Sequence, residues 1–156
     1  MKKIFFIVLL LTTVNFLLPA QVELDGVRIG DTLGKVYLKD TIQGINVAVV
    51  PASEDGIICG ITVFPINEKG LKPIWSSQAD MICVYFEEKY NITFNKNYTF
   101  TSPDAYTGVA EKDGIMYILE VQIANDPSDE YPADPNVFVW FNIINQNNVT
   151  AIEDRH

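Results

Sequence analysis

The stretch from Asp113 to Ala124, DGIMYILEVQIA, constrains the fold of this chain more than any other. Asp-Gly marks a turn. Beyond it, Ile115, Tyr117, Leu119, Val121 and Ile123 alternate along one face of an extended segment. Met116, Ile118, Glu120 and Gln122 share the other face, which is apolar at the turn end and polar further on. An earlier stretch repeats the opening: Asp55-Gly56 precedes Ile57, Cys59, Ile61 and Val63 on one face, with Phe64 closing the run. Two such hairpins predict an antiparallel sheet with one well-covered side.

Taken in order, Asp25-Gly26 leads into a short edge strand, Val27 to Ile29. Thr32 offers an N-cap, and Leu33, Val36 and Tyr37 fall at helical spacing, so a short helix is expected over about 32–39. Ile45 to Val50 is β-branched and pairs with Ile57 to Phe64 in the first hairpin, and Pro65 to Pro73 reads as a connector. The main helix is expected over about 76–90. Ser76 is its cap, Ala79, Ile82, Cys83, Phe86 and Tyr90 form one face, and Asn91 is the stop. Short strands then flank an Asn-Lys-Asn turn, at Ile92 to Phe94 and Tyr98 to Thr101. Ala105 to Ala110 and Ile115 to Ala124 make the second hairpin. Val137 to Ile144, apolar on both faces, reads as a central strand, with a last short strand at Val149 to Ile152. The whole is an α+β single domain: an antiparallel sheet of about five to seven strands with the helices packed on one face.

The first twenty residues stand apart from this pattern. Lys2 and Lys3, the apolar run from Ile4 to Leu11 and Ala20 before Gln21 have the layout of a cleavable signal peptide, so residues 1–20 are assigned to export and residues 21–156 to the domain. The expected destination is the periplasm or beyond, with no membrane span after cleavage. Without Lys2 and Lys3 the 11 basic residues fall to 9 against 20 acidic ones, a formal charge of −11. A surface so acidic repels phosphate backbones, which disfavours nucleic acid. Export also places Cys59 and Cys83 in an oxidising compartment. As the only two cysteines they are expected to form a disulfide between first hairpin and helix.

Catalytic chemistry finds little support. The one histidine is His156, the last residue, so no imidazole is fixed beside a nucleophile, and two cysteines with that histidine do not make a zinc set. No phosphate-cradling glycine loop is present, and no cofactor is implied. Glu120 is the most unusual acid, lying on a mainly apolar strand, yet nothing in the spacing pairs it with a second carboxylate. The loop Asn125 to Asn136 carries four acids but also three prolines, and it lacks the alternation and central glycine of a calcium loop.

Three function classes follow: a non-catalytic binding module, an inhibitor or immunity-type protein for a basic partner, and a small carboxylate-dependent hydrolase. For the first, a helix layer that covers one side of the sheet leaves Trp140 and Phe138 on the other, with Tyr117 or Tyr106 from neighbouring strands. Such aromatics suit a protein or glycan partner.

Overall fold

The computed structural model describes residues 22–34, 37–98, 105–124 and 135–146. Its core is an antiparallel sheet. β3 (Leu38–Ile42), β4 (Ile45–Glu54), β5 (Ile57–Asn67), β11 (Asn136–Asn145), β10 (Ile115–Ile123), β9 (Ala105–Lys112) and β8 (Asn95–Tyr98) lie side by side in that order. Two short strands, β6 (Gly70–Leu71) on β5 and β7 (Ile74–Trp75) on β11, raise the count to nine. The sheet is thus wider than the sequence suggests, because Pro65 to Pro73 is no plain connector. β5 runs on to Asn67, and the chain then folds back as β6 and β7. A separate hairpin, β1 (Glu23–Leu24) with β2 (Val27–Arg28), stands before the sheet.

Four two-residue turns set this topology. Asp25-Gly26, Gln43-Gly44, Asp55-Gly56 and Asp113-Gly114 each hold both residues at positive φ, between 50° and 78°. That is the type I′ geometry, whose twist matches that of the flanking strands, and glycine takes the second position without a Cβ penalty. The Gln43-Gly44 turn overrides the expected helix over 32–39. Leu38 to Ile42 is a strand paired with β4, and Thr32 makes an isolated bridge to Ile57. Lys35 and Val36 lie outside the described residues. The Asn-Lys-Asn turn is likewise absent: Asn95, Lys96 and Asn97 run straight through β8, in register with Val109, Gly108 and Thr107 of β9. Thr99 to Thr101 and the expected strand at Val149 to Ile152 lie outside the described residues.

The helix among the described residues, α1 (Ser76–Tyr90), occupies the expected span and buries Ala79, Ile82, Cys83 and Phe86. Its N-cap is Trp75 rather than Ser76. The Gln78 side chain reaches back to accept from the Trp75 backbone N–H at 3.1 Å, while the Ser76 N–H donates to the Pro135 carbonyl at 2.8 Å. Asn91 ends the helix in the left-handed conformation, and the Ile92 N–H closes onto the Glu87 carbonyl at 3.0 Å. The helix lies on the sheet face carrying Val47, Val49, Ile61, Val63, Leu119, Val139, Phe141 and Ile143, all essentially inaccessible. The β1–β2 hairpin completes this layer with Val22, Leu24, Val27 and Ile29, and the Tyr90 hydroxyl donates to the Glu23 carbonyl at 3.2 Å to join the two.

One irregularity changes a cysteine's fate. The β4–β5 register steps from Ala52↔Gly60 to Ser53↔Ile58, leaving Cys59 without a partner. Such a bulge shifts the alternation by one residue. Ile58 therefore turns into the core, Ile57 is 41% exposed, and the Cys59 thiol lies 3.5 Å from the Ala52 carbonyl. Cys83 is buried under the helix. Both cysteines are free thiols, so the expected Cys59–Cys83 disulfide is overturned.

Candidate functional site

Strand parity decides which aromatics remain available. Tyr117 is paired with Ile143 and Ala110, and Tyr106 with Val121; all share the face under α1. Tyr117 is 3% exposed and its ring meets those of Tyr90 and Phe141 at 5.2 and 6.4 Å. Burial also holds the Tyr117 and Tyr90 phenols above the usual range. Tyr106 packs partly buried against the same core, with the Lys96 ammonium 5.9 Å from its ring centroid. Neither tyrosine joins Trp140, which corrects their place in the expected binding set.

Trp140 and Phe138 lie on the face opposite α1, where Ala48 and Ile66 are buried but most of the described side chains are half-buried or exposed. The Trp140 and Phe138 ring centroids are 6.0 Å apart with planes tilted by 32°, and both side chains are half-buried. Directly across on β10, Glu120 stands opposite Trp140 and Gln122 opposite Phe138, both exposed. Trp75 is in register with Asn136, two positions before Phe138, and by parity lies on this same side, 50% exposed. Trp75 falls between the expected connector, Pro65 to Pro73, and the expected helix, so the sequence pattern assigns it to no face. The alternation Ile74-in, Trp75-out against β11 places both tryptophans of the chain on one face instead.

The face continues towards the Asp55-Gly56 and Asp113-Gly114 turns, which lie at one end of the sheet. One cross-strand row runs Val50, Thr62, Asn142, Ile118 and Val109; the next runs Ala52, Gly60, Ile144, Met116 and Glu111. Phe64, Met116, Ile118 and Ile144 are half-buried, and Val109 is 37% exposed. In the middle, the Thr62 hydroxyl donates to the Asn142 side-chain oxygen at 2.8 Å, the main polar link across this surface. Parity puts Glu54, Glu111 and Glu120 on this face, with Lys39 at the far edge.

A second feature involves two carboxyls. Asp25, in the β1–β2 turn, and Asp40, on β3, bring their carboxyls close enough for one to hydrogen-bond the other. Partial burial, then the bond to Asp40 and its charge, push Asp25 up to about 6; the same bond holds Asp40 below the usual carboxylate range, with Lys89 nearby. Among the depressions lined by the described residues, each carboxyl lines a different one. Asp25 lines a depression of about 320 Å³ with Arg28, Asp31 and Thr32. Asp40 lines another of about 420 Å³ with Lys39, Asn46, Asn67 and Lys72. Among the described residues no group of Asp, Glu, Cys or His side chains is arranged to hold a metal ion. Of the acidic loop, Asn125 to Asp134 lies outside the described residues. No helix among the described residues is long and apolar enough to cross a membrane.

Comparison of the chain with protein-family models, with curated proteins and with solved structures finds no match in any of the three.

Proposed function

We propose that this chain is an exported, non-catalytic binding module whose ligand docks on the sheet face opposite α1, around Trp140 and Phe138. The reading rests on one observation: Trp75, Phe138 and Trp140 share the side of the sheet opposite α1, beside the exposed Glu120 and Gln122. Rigid aromatics on a paired backbone offer contact area at little entropic cost. Export rests on the layout of residues 1–20, and N-terminal sequencing of protein recovered outside the cytoplasm should begin at Gln21. The binding reading is tested with Trp75→Phe, which leaves Trp140 as the only indole. Its emission should be quenched by acrylamide, and Trp140→Ala should keep the fold. A blue-shifted Trp140 beyond acrylamide's reach, or unfolding of Trp140→Ala, would make the residue ordinary core.

The Asp25–Asp40 pair favours a second reading, a carboxylate-dependent hydrolase. Two carboxyls in hydrogen-bond contact resemble what acid–base chemistry requires, but a substrate would have to reach both carboxyls from separate depressions. Hydrolysis of any polysaccharide or peptide substrate that vanishes in Asp25→Asn, with folding intact, would favour this reading over the first.

A further inference from the structure

Resting on the binding reading above, we infer that the partner at the face opposite α1 is a basic protein surface, one presenting aliphatic or aromatic side chains flanked by Lys and Arg. Two features of the face point there. The first is its breadth. Aromatics occupy one end, and aliphatic Ile118, Met116, Ile144 and Val109 spread over three neighbouring strands around the Thr62–Asn142 pair. Sugar rings stack on flat aromatic platforms and gain little from branched aliphatic side chains, whereas a broad mixed apolar centre with a polar margin is the anatomy of a protein interface.

The second is charge. Glu54 and Glu111 lie on this face at the turn end and Glu120 stands beside Trp140, while Lys39, with Lys72 in the same depression, lies at the far edge. Asp55 and Asp113 extend the acidic margin at that same end, while the nearby Lys112 is withdrawn to the other side, its ammonium 2.9 Å from the Tyr90 carbonyl. The chain as a whole carries a net charge of −9. A second copy would bring the same acids against each other; a cationic partner would be steered in and oriented by them.

The experiment uses the full chain carrying Trp75→Phe, with an arrayed library of short random peptides as probe and chitin and cellulose oligosaccharides as the glycan arm. Peptides that shift Trp140 emission should be enriched in Lys or Arg next to large apolar residues. Their binding should weaken as salt rises. It should fall about tenfold in the Glu54→Gln/Glu111→Gln/Glu120→Gln variant, whose thermal midpoint should hold, since those positions sit at the solvent margin. Binders without a basic bias, or affinity unchanged in the triple variant, would overturn the inference. So would a Trp140 that acrylamide reaches but no peptide protects. An oligosaccharide that shifts Trp140 where peptides do not would overturn the basic partner and leave the binding face standing. A Trp140 silent to peptides, sugars and acrylamide would overturn both.

Discussion

The ring of Phe86 lies parallel to that of Phe141, centroids 3.6 Å apart and planes 5° from parallel. This contact joins the middle of the helix to the central strand of the sheet. Tyr90 extends the stack at 6.2 Å from Phe86, and Phe94 meets Phe141 edge-on at 5.9 Å. Both partners are essentially inaccessible, so truncation leaves a cavity that rigid sheet neighbours cannot close. Phe141→Ala should cost about 3–5 kcal/mol in urea unfolding, and Phe86→Ala a similar amount. Because the rings touch, the double variant should lose less than the sum of the singles, with a coupling of about 0.5–1.5 kcal/mol.

The bulge at Cys59 makes a redox prediction. Denatured, unreduced protein should expose two reactive thiols. In the native state Cys59 should label first, being half-buried at the bulge whereas Cys83 is fully buried. Cys83 is 2% exposed and burial pushes its thiol up to about 11, so little thiolate is present at neutral pH and its modification should wait for unfolding. Fewer than two thiols in the denatured, unreduced chain would restore the disulfide.

The same two-residue logic explains both what the sequence made legible and what it hid. Asp55-Gly56 and Asp113-Gly114 announce their hairpins because alternating apolar residues follow each at once. Gln43-Gly44 adopts the same geometry but was masked by the helical spacing of Leu33, Val36 and Tyr37 before it. The bulge left no signal. Ile57, Cys59 and Ile61 alternate without a break, and only the pairing with Ala52 and Ser53 shows the phase change. For the candidate site, the parity of Phe138 and Trp140 was readable along their own strand, as was Tyr117's place among Ile115 and Leu119. Tyr106 and Trp75 were not, since their sides depend on pairing with Val121 and Asn136, a long-range register that local pattern does not carry.

The Asp25–Asp40 pair should make stability depend on pH in a defined window. Asp25 is raised in the folded state from 3.8 to about 6, so its contribution is fully present below 3.8 and is lost as pH rises through 6. Asp40 is lowered, so its contribution is present above 3.8 and is lost as pH falls through its folded value. Between about 4 and 6 the thermal midpoint should therefore carry a downward component with rising pH, from deprotonation of Asp25. Asp25→Asn should remove that component while leaving the acid-side loss from other carboxylates. A midpoint profile over that range identical in wild type and Asp25→Asn would show that the two side chains do not hydrogen-bond.

Gly108 tests the packing of the helix-covered face from the opposite direction, by adding an atom. It sits on β9 in register with Leu119 and Lys96, and a Cβ built there would lie 3.1 Å from the Phe94 Cβ and 3.3 Å from its Cγ. Phe94 is itself 6% exposed. It is held by its backbone N–H donating to the Glu87 carboxylate at 2.9 Å and by its edge contact with Phe141. The ring root cannot swing away without breaking one of these. Gly108→Ala should therefore destabilise by about 1–3 kcal/mol despite alanine's smaller backbone entropy cost. Phe94→Ala, which removes the Cγ and Cδ1 lying 3.3 and 3.4 Å from the added Cβ, should relieve part of the strain in the double variant. The pair would then be less destabilised than the two singles together. Denaturant midpoints of the four proteins decide it. Strictly additive losses would mean that the Cβ of residue 108 and the Phe94 ring do not compete for the same space.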